Sequence, residues 1–144
     1  MENDLQPILE NLGIERLNEM QERMLTETES PGDIILLSRT GSGKTLAFLL
    51  PLLRDLDLSQ QKTQAIIIAP SRELALQIES VFRQMKTGAK ITCCYGGHKR
   101  EIEENNLIDA PTIIVGTPGR MADHIRRGNI AVDTVKTLIL DEFD

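Results

Sequence analysis

Five short apolar runs constrain most what this chain can fold into: Ile34–Leu37, Ala65–Ala69, Ile91–Tyr95, Thr112–Val115 and Thr137–Leu140. They are rich in Ile, Leu and Val and do not alternate with polar residues, which is how strands covered on both faces read. The segments between them have helical character: Lys44–Arg54, Arg72–Met85, Lys99–Leu107 and Pro118–Arg127. Strand and helix in alternation predict an α/β domain with a mainly parallel sheet. Right-handed crossovers then place helices on both faces. Aromatic residues are 3% of the chain, so the core has to be aliphatic.

Two short helices are predicted ahead of this pattern. Leu5, Ile8, Leu9 and Leu12 recur at helical spacing and Gly13 suits the stop. A second helix begins near Asn18, a residue type that caps helix N-termini. Ser30-Pro31-Gly32 is a turn, which sets a helical segment over 1–30 apart from an α/β domain over 31–144. The chain stops at Asp144, just beyond a strand with no helix to follow, so a piece of a longer protein is expected.

Charge is unevenly placed. The net charge of −6 resides in residues 1–31, with eight acids and two bases; the remainder holds 14 of each and leaves room for a locally basic face. The longest apolar run, Leu46 to Leu53, falls short of the roughly 20 residues of a membrane span. No basic-then-apolar leader opens the chain. Cys93 and Cys94 are adjacent and lack metal-site spacing. They are read as reduced thiols, one of them in the core, which points to the cytoplasm. His98 and His124 have no second ligand at metal spacing in the sequence, so metal binding through histidine is not expected.

The strongest chemical signal is Thr40-Gly41-Ser42-Gly43-Lys44-Thr45, directly after the first apolar run. Glycines let consecutive N–H groups turn toward an anion, and a helix starting there adds the positive end of its dipole. Lys44 would reach the β- and γ-phosphates of a nucleotide and the Thr45 hydroxyl would ligate Mg²⁺. Ser38 stands where the strict phosphate-loop pattern has Gly. At the far end, Leu138-Ile139-Leu140 runs into Asp141-Glu142-Phe143-Asp144. Acids at the carboxyl end of a parallel strand lie where open α/β sheets bind ligands. Asp141 would hold Mg²⁺, and Glu142 would polarise an attacking water.

Taken together these residues resemble the first RecA-like domain of a DEAD-box RNA helicase. Residues 38–45 resemble A-x-T-G-x-G-K-T with Ser38 for Ala. Pro70-Ser71-Arg72-Glu73-Leu74-Ala75-Leu76-Gln77 resembles P-T-R-E-L-A-x-Q; Gly96-Gly97 matches the GG element, and Thr117-Pro118-Gly119-Arg120 matches T-P-G-R. Asp141–Asp144 matches D-E-A-D except at Phe143, whose larger side chain has to be housed beside the carboxylates. Gly13–Gln21 fits the frame of the adenine-reading glutamine motif. Gln21 is the base reader there, while Ile14 and Leu17 replace the usual aromatic and Pro, so stacking on the base is lost.

The resemblance implies a RecA-like P-loop NTPase fold, with ATP and Mg²⁺ as cofactors. It places Gln21, Thr40, Gly41, Ser42, Gly43, Lys44 and Thr45 on the nucleotide, and Thr45 and Asp141 on the metal. Pro70, Arg72, Glu73, Gly97, Thr117, Pro118, Gly119 and Arg120 fall on the RNA backbone. Asp144 links nucleotide to RNA. For Arg72, a surface ion pair is the alternative. Such contacts predict sequence-tolerant, salt-sensitive binding. The implied parent is an ATP-dependent RNA helicase that needs a second RecA-like domain for its arginine finger. This chain alone would be a monomer that hydrolyses ATP barely. A nucleotide-gated RNA clamp without productive unwinding, and a DNA-acting P-loop helicase, are the rival readings.

Overall fold

The computed structural model describes residues 2–143 apart from Thr40 and Ser42, with the backbone alone for residues 2–4. The expectations placed on Thr40, Ser42 and Asp144 therefore lie outside the described residues. The chain divides into two compact units, Met1–Leu56 and Asp57–Asp144.

The first unit contains α1 (Glu2–Leu12), α2 (Glu19–Glu27) and α3 (Lys44–Asp55). The predicted stop after α1 is a left-handed glycine: Gly13 has φ 71°, its N–H bonds Glu10 O at 3.1 Å, and Ile14 N–H bonds Leu9 O at 2.9 Å. This closing pattern satisfies the last carbonyls of a helix. Asn18 caps α2 as predicted, and Gln21 completes a reciprocal capping box with it. At the other end of α2, Arg54 of α3 donates from Nη1 to Leu25 O at 2.8 Å and from Nη2 to Thr28 O at 3.0 Å. A guanidinium at a helix C-terminus satisfies orphan carbonyls and complements the dipole.

The run Ile34–Leu37 is not a strand. It has no regular secondary structure and joins no ladder, and Ile35 and Leu37 are 71% and 81% exposed. With α2 it lines a groove of about 680 Å³. Apolar β-formers supply the side chains of a strand, whereas the strand itself requires a partner for its N–H and C=O groups. Among the described residues this segment has none.

The second unit holds the sheet: β1 (Ala65–Ile68), α4 (Arg72–Gln84), β2 (Ile91–Cys94), α5 (Arg100–Ile108), β3 (Ile113–Gly116), α6 (Pro118–Arg126), a 3₁₀ turn over Val132–Thr134, and β4 (Thr137–Leu140). The strand order is β2-β3-β1-β4 and every pairing is parallel, with Ile66 opposite both Ile114 and Leu138. The step from β1 to β2 runs opposite to the steps β2 to β3 and β3 to β4. Right-handed crossovers therefore put α4 on one face and α5 and α6 on the other.

Both faces are packed over β1, β2 and β3, which explains their unbroken apolar runs; the edge strand β4 departs from the expectation, with Leu138 and Leu140 exposed on the α5/α6 face because no described element covers them there. Ile66, Cys94, Leu107, Ile114, Met121 and Ile130 form the core on the α5/α6 side, with Ile68 and Val135 against it. On the α4 side, Ala75, Ile78 and Phe82 are buried along one helix stripe. Cys93 and Cys94 point to opposite faces, and both are buried as free thiols. The expectation that only one lies in the core fails because neither face of β2 is open. Burial pushes the Cys93 thiol up to about 12, helped by the charge of Glu79, and raises Cys94 further, helped by Glu103. The result is the mainly parallel, helix-flanked α/β sheet of a RecA-like domain. Among the described residues no helix is long and apolar enough to cross a membrane.

Candidate nucleotide and nucleic-acid sites

In the first unit the glycine loop turns directly into α3. Gly41 and Gly43 have φ of 81° and 87°, a region that costs other residues about 1–2 kcal/mol. Gly43 is the N-cap of α3 and supplies no side-chain acceptor, and the first turn carries no acid. The helix start is thus arranged for an external anion, with Lys44 as its first residue and Thr45 as its second. A lysine, a hydroxyl and an uncapped helix N-terminus fit a nucleotide's phosphates and the oxygen-ligand preference of Mg²⁺.

Gln21 reaches this loop. Its Nε2 donates to Gly43 O at 3.1 Å, while its Oε1 accepts from Asn18 N–H at 3.0 Å. The side chain is buried. An amide has two hydrogens and two acceptor lone pairs, so one of each remains, which is what an adenine edge requires. Any Cβ at residue 43 would sit 2.5 Å from Gln21 Nε2, so the glycine serves close approach as well as its positive φ.

In the second unit, parallel strands put four chain segments at one carboxyl edge of the sheet. After β1, Ser71 caps α4 by accepting from Leu74 N–H at 3.2 Å, with Pro70, Arg72 and Glu73 exposed around it. After β2 comes Tyr95-Gly96-Gly97-His98. After β3, Thr117 is the N-cap of α6 with Pro118 at its first position, as predicted, though the Thr117 hydroxyl does not cap. Its backbone N–H bonds Cys94 O at 3.0 Å. After β4 lies Asp141, buried at 6% exposure, its N–H bonded to Ile68 O at 2.9 Å. Glu142 is exposed and left-handed, with φ 48°. Phe143 needs no housing beside the acids, because it is 60% exposed.

The three loops expected to meet RNA are joined to one another. The Arg72 guanidinium lies 5.8 Å from the Tyr95 ring centroid, and among the described residues the alternative surface ion pair is not found. Tyr95 stacks on His98 at 4.9 Å between centroids. Arg120 is only 14% exposed at its side chain and donates to His98 O at 2.9 Å. Exposed Gly97 and Gly119 complete the edge.

One cluster is absent from the sequence expectations. Glu103, fully buried on α5, accepts Tyr95 N–H at 3.0 Å and His98 Nδ1 at 2.8 Å on Oε2, and His124 Nε2 at 2.7 Å on Oε1. Arg120 Nη1 is 3.7 Å away. The two histidines are thus not isolated: a single carboxylate joins them. Cys94 Sγ also falls within 4.8 Å of ligand atoms of Glu103 and His124. This is a hydrogen-bonded cluster in character, since the thiol is held neutral, Arg120 already answers the carboxylate charge, and the second nitrogen of His124 faces Asn129 Nδ2 at 3.1 Å. The signal in the sequence was an acid four residues before Leu107, on the buried stripe of α5.

Comparison with known proteins agrees with this geometry. The DEAD/DEAH box helicase family model matches residues 18–144. The chain is 38% identical over 144 residues to the ATP-dependent RNA helicase DeaD of Escherichia coli K12, covering 96% of this chain and 23% of that protein. It is 37% identical over 137 residues to DeaD of Haemophilus influenzae, covering 93% and 22%. It is 38% identical over 146 residues to the ATP-dependent RNA helicase CshA of Limosilactobacillus reuteri, covering 100% and 29%. The chain thus spans between a fifth and a third of the length of these relatives. The chain belongs to the DEAD/DEAH box helicase family.

Proposed function

We propose that this chain is the ATP-binding part of an ATP-dependent RNA helicase, and that the whole protein couples ATP binding and hydrolysis to local RNA unwinding or remodelling. Residues 1–30 carry the adenine reader Gln21, and residues 31–144 form the RecA-like ATP-binding domain. Lys44 and the backbone amides of residues 40–45 hold the phosphates. Thr45 and Asp141 offer the hard oxygens that Mg²⁺ prefers. Mg²⁺, when bound, neutralises charge on the transferred phosphoryl group. Glu142 orients and deprotonates the attacking water. Asp144 carries the coupling to RNA.

RNA lies along Pro70, Arg72, Glu73, Gly97, Thr117, Pro118, Gly119 and Arg120, held mostly through its phosphates. The observation that supports this reading is the convergence of those segments at one sheet edge, joined through Tyr95 and His98. A second RecA-like domain of the same protein is the expected partner. Lacking its arginine, phosphoryl transfer would run about 10³–10⁵ slower, so the chain alone binds ATP without notable turnover. The buried free thiols support a reducing, cytoplasmic compartment.

ATP binding tests the nucleotide half. A fluorescent ATP analogue should bind the chain in a Mg²⁺-dependent way, and Lys44→Ala should abolish it. Equal binding by the two forms would remove the phosphate-loop assignment. The nucleotide-gated RNA clamp is the second reading, motivated by the divergent adenine motif, in which Ile14 and Leu17 stand where the usual aromatic and Pro would be. It predicts RNA retention with ATP but no strand separation by the whole protein.

A further inference from the structure

We propose that Glu103 is a positioning residue for RNA, holding three strand-end loops in the arrangement that meets the phosphate backbone. The proposal rests on the RNA-binding reading above. Glu103 does not itself reach RNA, because its side chain is fully buried. A buried carboxylate persists only where donors surround it, and here the donors belong to the RNA elements. Oε2 takes the Tyr95 N–H and His98 Nδ1, fixing both ends of the loop that contains Gly96 and Gly97. Oε1 takes His124 Nε2 and lies 3.7 Å from Arg120 Nη1. Arg120 in turn donates to His98 O. Through Tyr95 the tie extends to Arg72, whose guanidinium sits over the ring.

The carboxylate form is essential to this arrangement. A glutamine at position 103 keeps the size, but its NH₂ must face donors in either orientation. On one side is the Tyr95 N–H, on the other Arg120, and neither can act as an acceptor. Either the loop loses an acceptor for the Tyr95 N–H or Arg120, 3.7 Å from Oε1, loses its counter-charge, whichever tautomers His98 and His124 adopt. Glu103→Gln should therefore loosen the Tyr95 loop and weaken RNA binding together, partly through Arg120 and partly through that loop.

Tyr95 is the only tyrosine and the chain has no tryptophan, so its emission reports this loop alone. The test measures acrylamide quenching of Tyr95 and the affinity of a labelled oligouridylate for the chain, in Glu103→Gln, Arg120→Ala and the double variant. Fluorescent ATP binding serves as the control for an intact fold. We expect quenching to rise about twofold, and RNA affinity to fall roughly five- to tenfold in Glu103→Gln. ATP affinity should be unchanged, and Glu103→Gln should still lower RNA affinity in the Arg120→Ala background, though by less than in the unsubstituted chain, since Gly97 and Arg72 remain tied to Glu103 through the Tyr95 loop. A merely structural role would give losses that multiply, and that result overturns the proposal. So does unchanged quenching, or a loosened loop with RNA affinity intact. If Glu103→Gln does not fold, His98→Ala removes one partner of Oε2 from a partly exposed site and should shift both readouts in the same direction; no shift in either overturns the proposal. RNA binding absent from the unsubstituted chain, with Tyr95 still loosened by the substitution, would instead overturn the RNA reading beneath it.

Discussion

Replacing Gln21 by Ala removes two side-chain bonds, to Asn18 N–H at 3.0 Å and to Gly43 O at 3.1 Å. The Asn18 side chain still accepts from the residue-21 N–H at 2.9 Å, so half of the capping box survives. A net intramolecular hydrogen bond contributes about 0.5–1.5 kcal/mol. Asn18 is exposed and its N–H can return to water, so its share falls at the low end. The loss should come to about 1–2 kcal/mol, read as a lower urea midpoint without a change in slope. For ATP, the remaining hydrogen and lone pair of the amide would make two bonds to adenine. Losing them costs about 1–3 kcal/mol, or roughly five- to 150-fold in Kd. Gln21→Glu separates the two roles. Its carboxylate still accepts from Asn18 N–H and suits a helix N-terminus, but it turns an oxygen toward Gly43 O. It should match Gln21→Ala in ATP affinity while keeping α2 capped. ATP affinity within twofold of the unsubstituted chain in both variants, with stability within about 0.5 kcal/mol, would refute the reasoning.

Other substitutions test the packing. A Cβ at Gly116 would lie 2.6 Å from both Cys94 O and Met121 Sδ, so Gly116→Ala should cost about 1–3 kcal/mol by urea unfolding; a neutral effect would mean that the β3 terminus has room. Arg54→Ala leaves the carbonyls of Leu25 and Thr28 without their guanidinium and should destabilise the first unit by about 1.5–3 kcal/mol, with faster amide exchange at the end of α2. Both thiols have native pKa values raised above their ordinary value. Their contribution is therefore complete below about pH 9 and is lost as pH rises toward 12. Urea midpoints from pH 7.5 to 10.5 should fall more steeply in the unsubstituted chain than in a Cys93→Ala, Cys94→Ala variant. A thiol reagent at pH 8 should label neither cysteine until the chain unfolds.

Much of the fold was legible because three of the four strands, β1 to β3, are covered on both faces, while β4 keeps the apolar composition with Leu138 and Leu140 exposed. The apolar runs at β1 to β4 end within a residue or so of the strands, and Asn18 and Thr117 mark helix starts by side-chain chemistry alone. The failure at Ile34–Leu37 is instructive, since its composition equals that of the true strands. Burial preference is local, whereas a ladder depends on a partner far along the chain. The candidate sites divide in the same way. Lys44, Thr45, Asp141 and Arg120 announce themselves in contiguous motifs. Glu103 does not, because one acid on a helix reads as solvated until the fold brings His98, His124 and Arg120 around it. The bond from Gln21 to Gly43 spans 22 positions and was likewise invisible.

RNA-stimulated ATP hydrolysis by this chain joined to the second RecA-like domain that the proposal calls for is the most direct test of the proposed function. Single-stranded RNA and DNA of equal length would be compared, with Lys44→Ala as the blank. Hydrolysis stimulated selectively by RNA and absent from the blank is the predicted result. Stimulation by DNA alone, or turnover that survives Lys44→Ala, would contradict it.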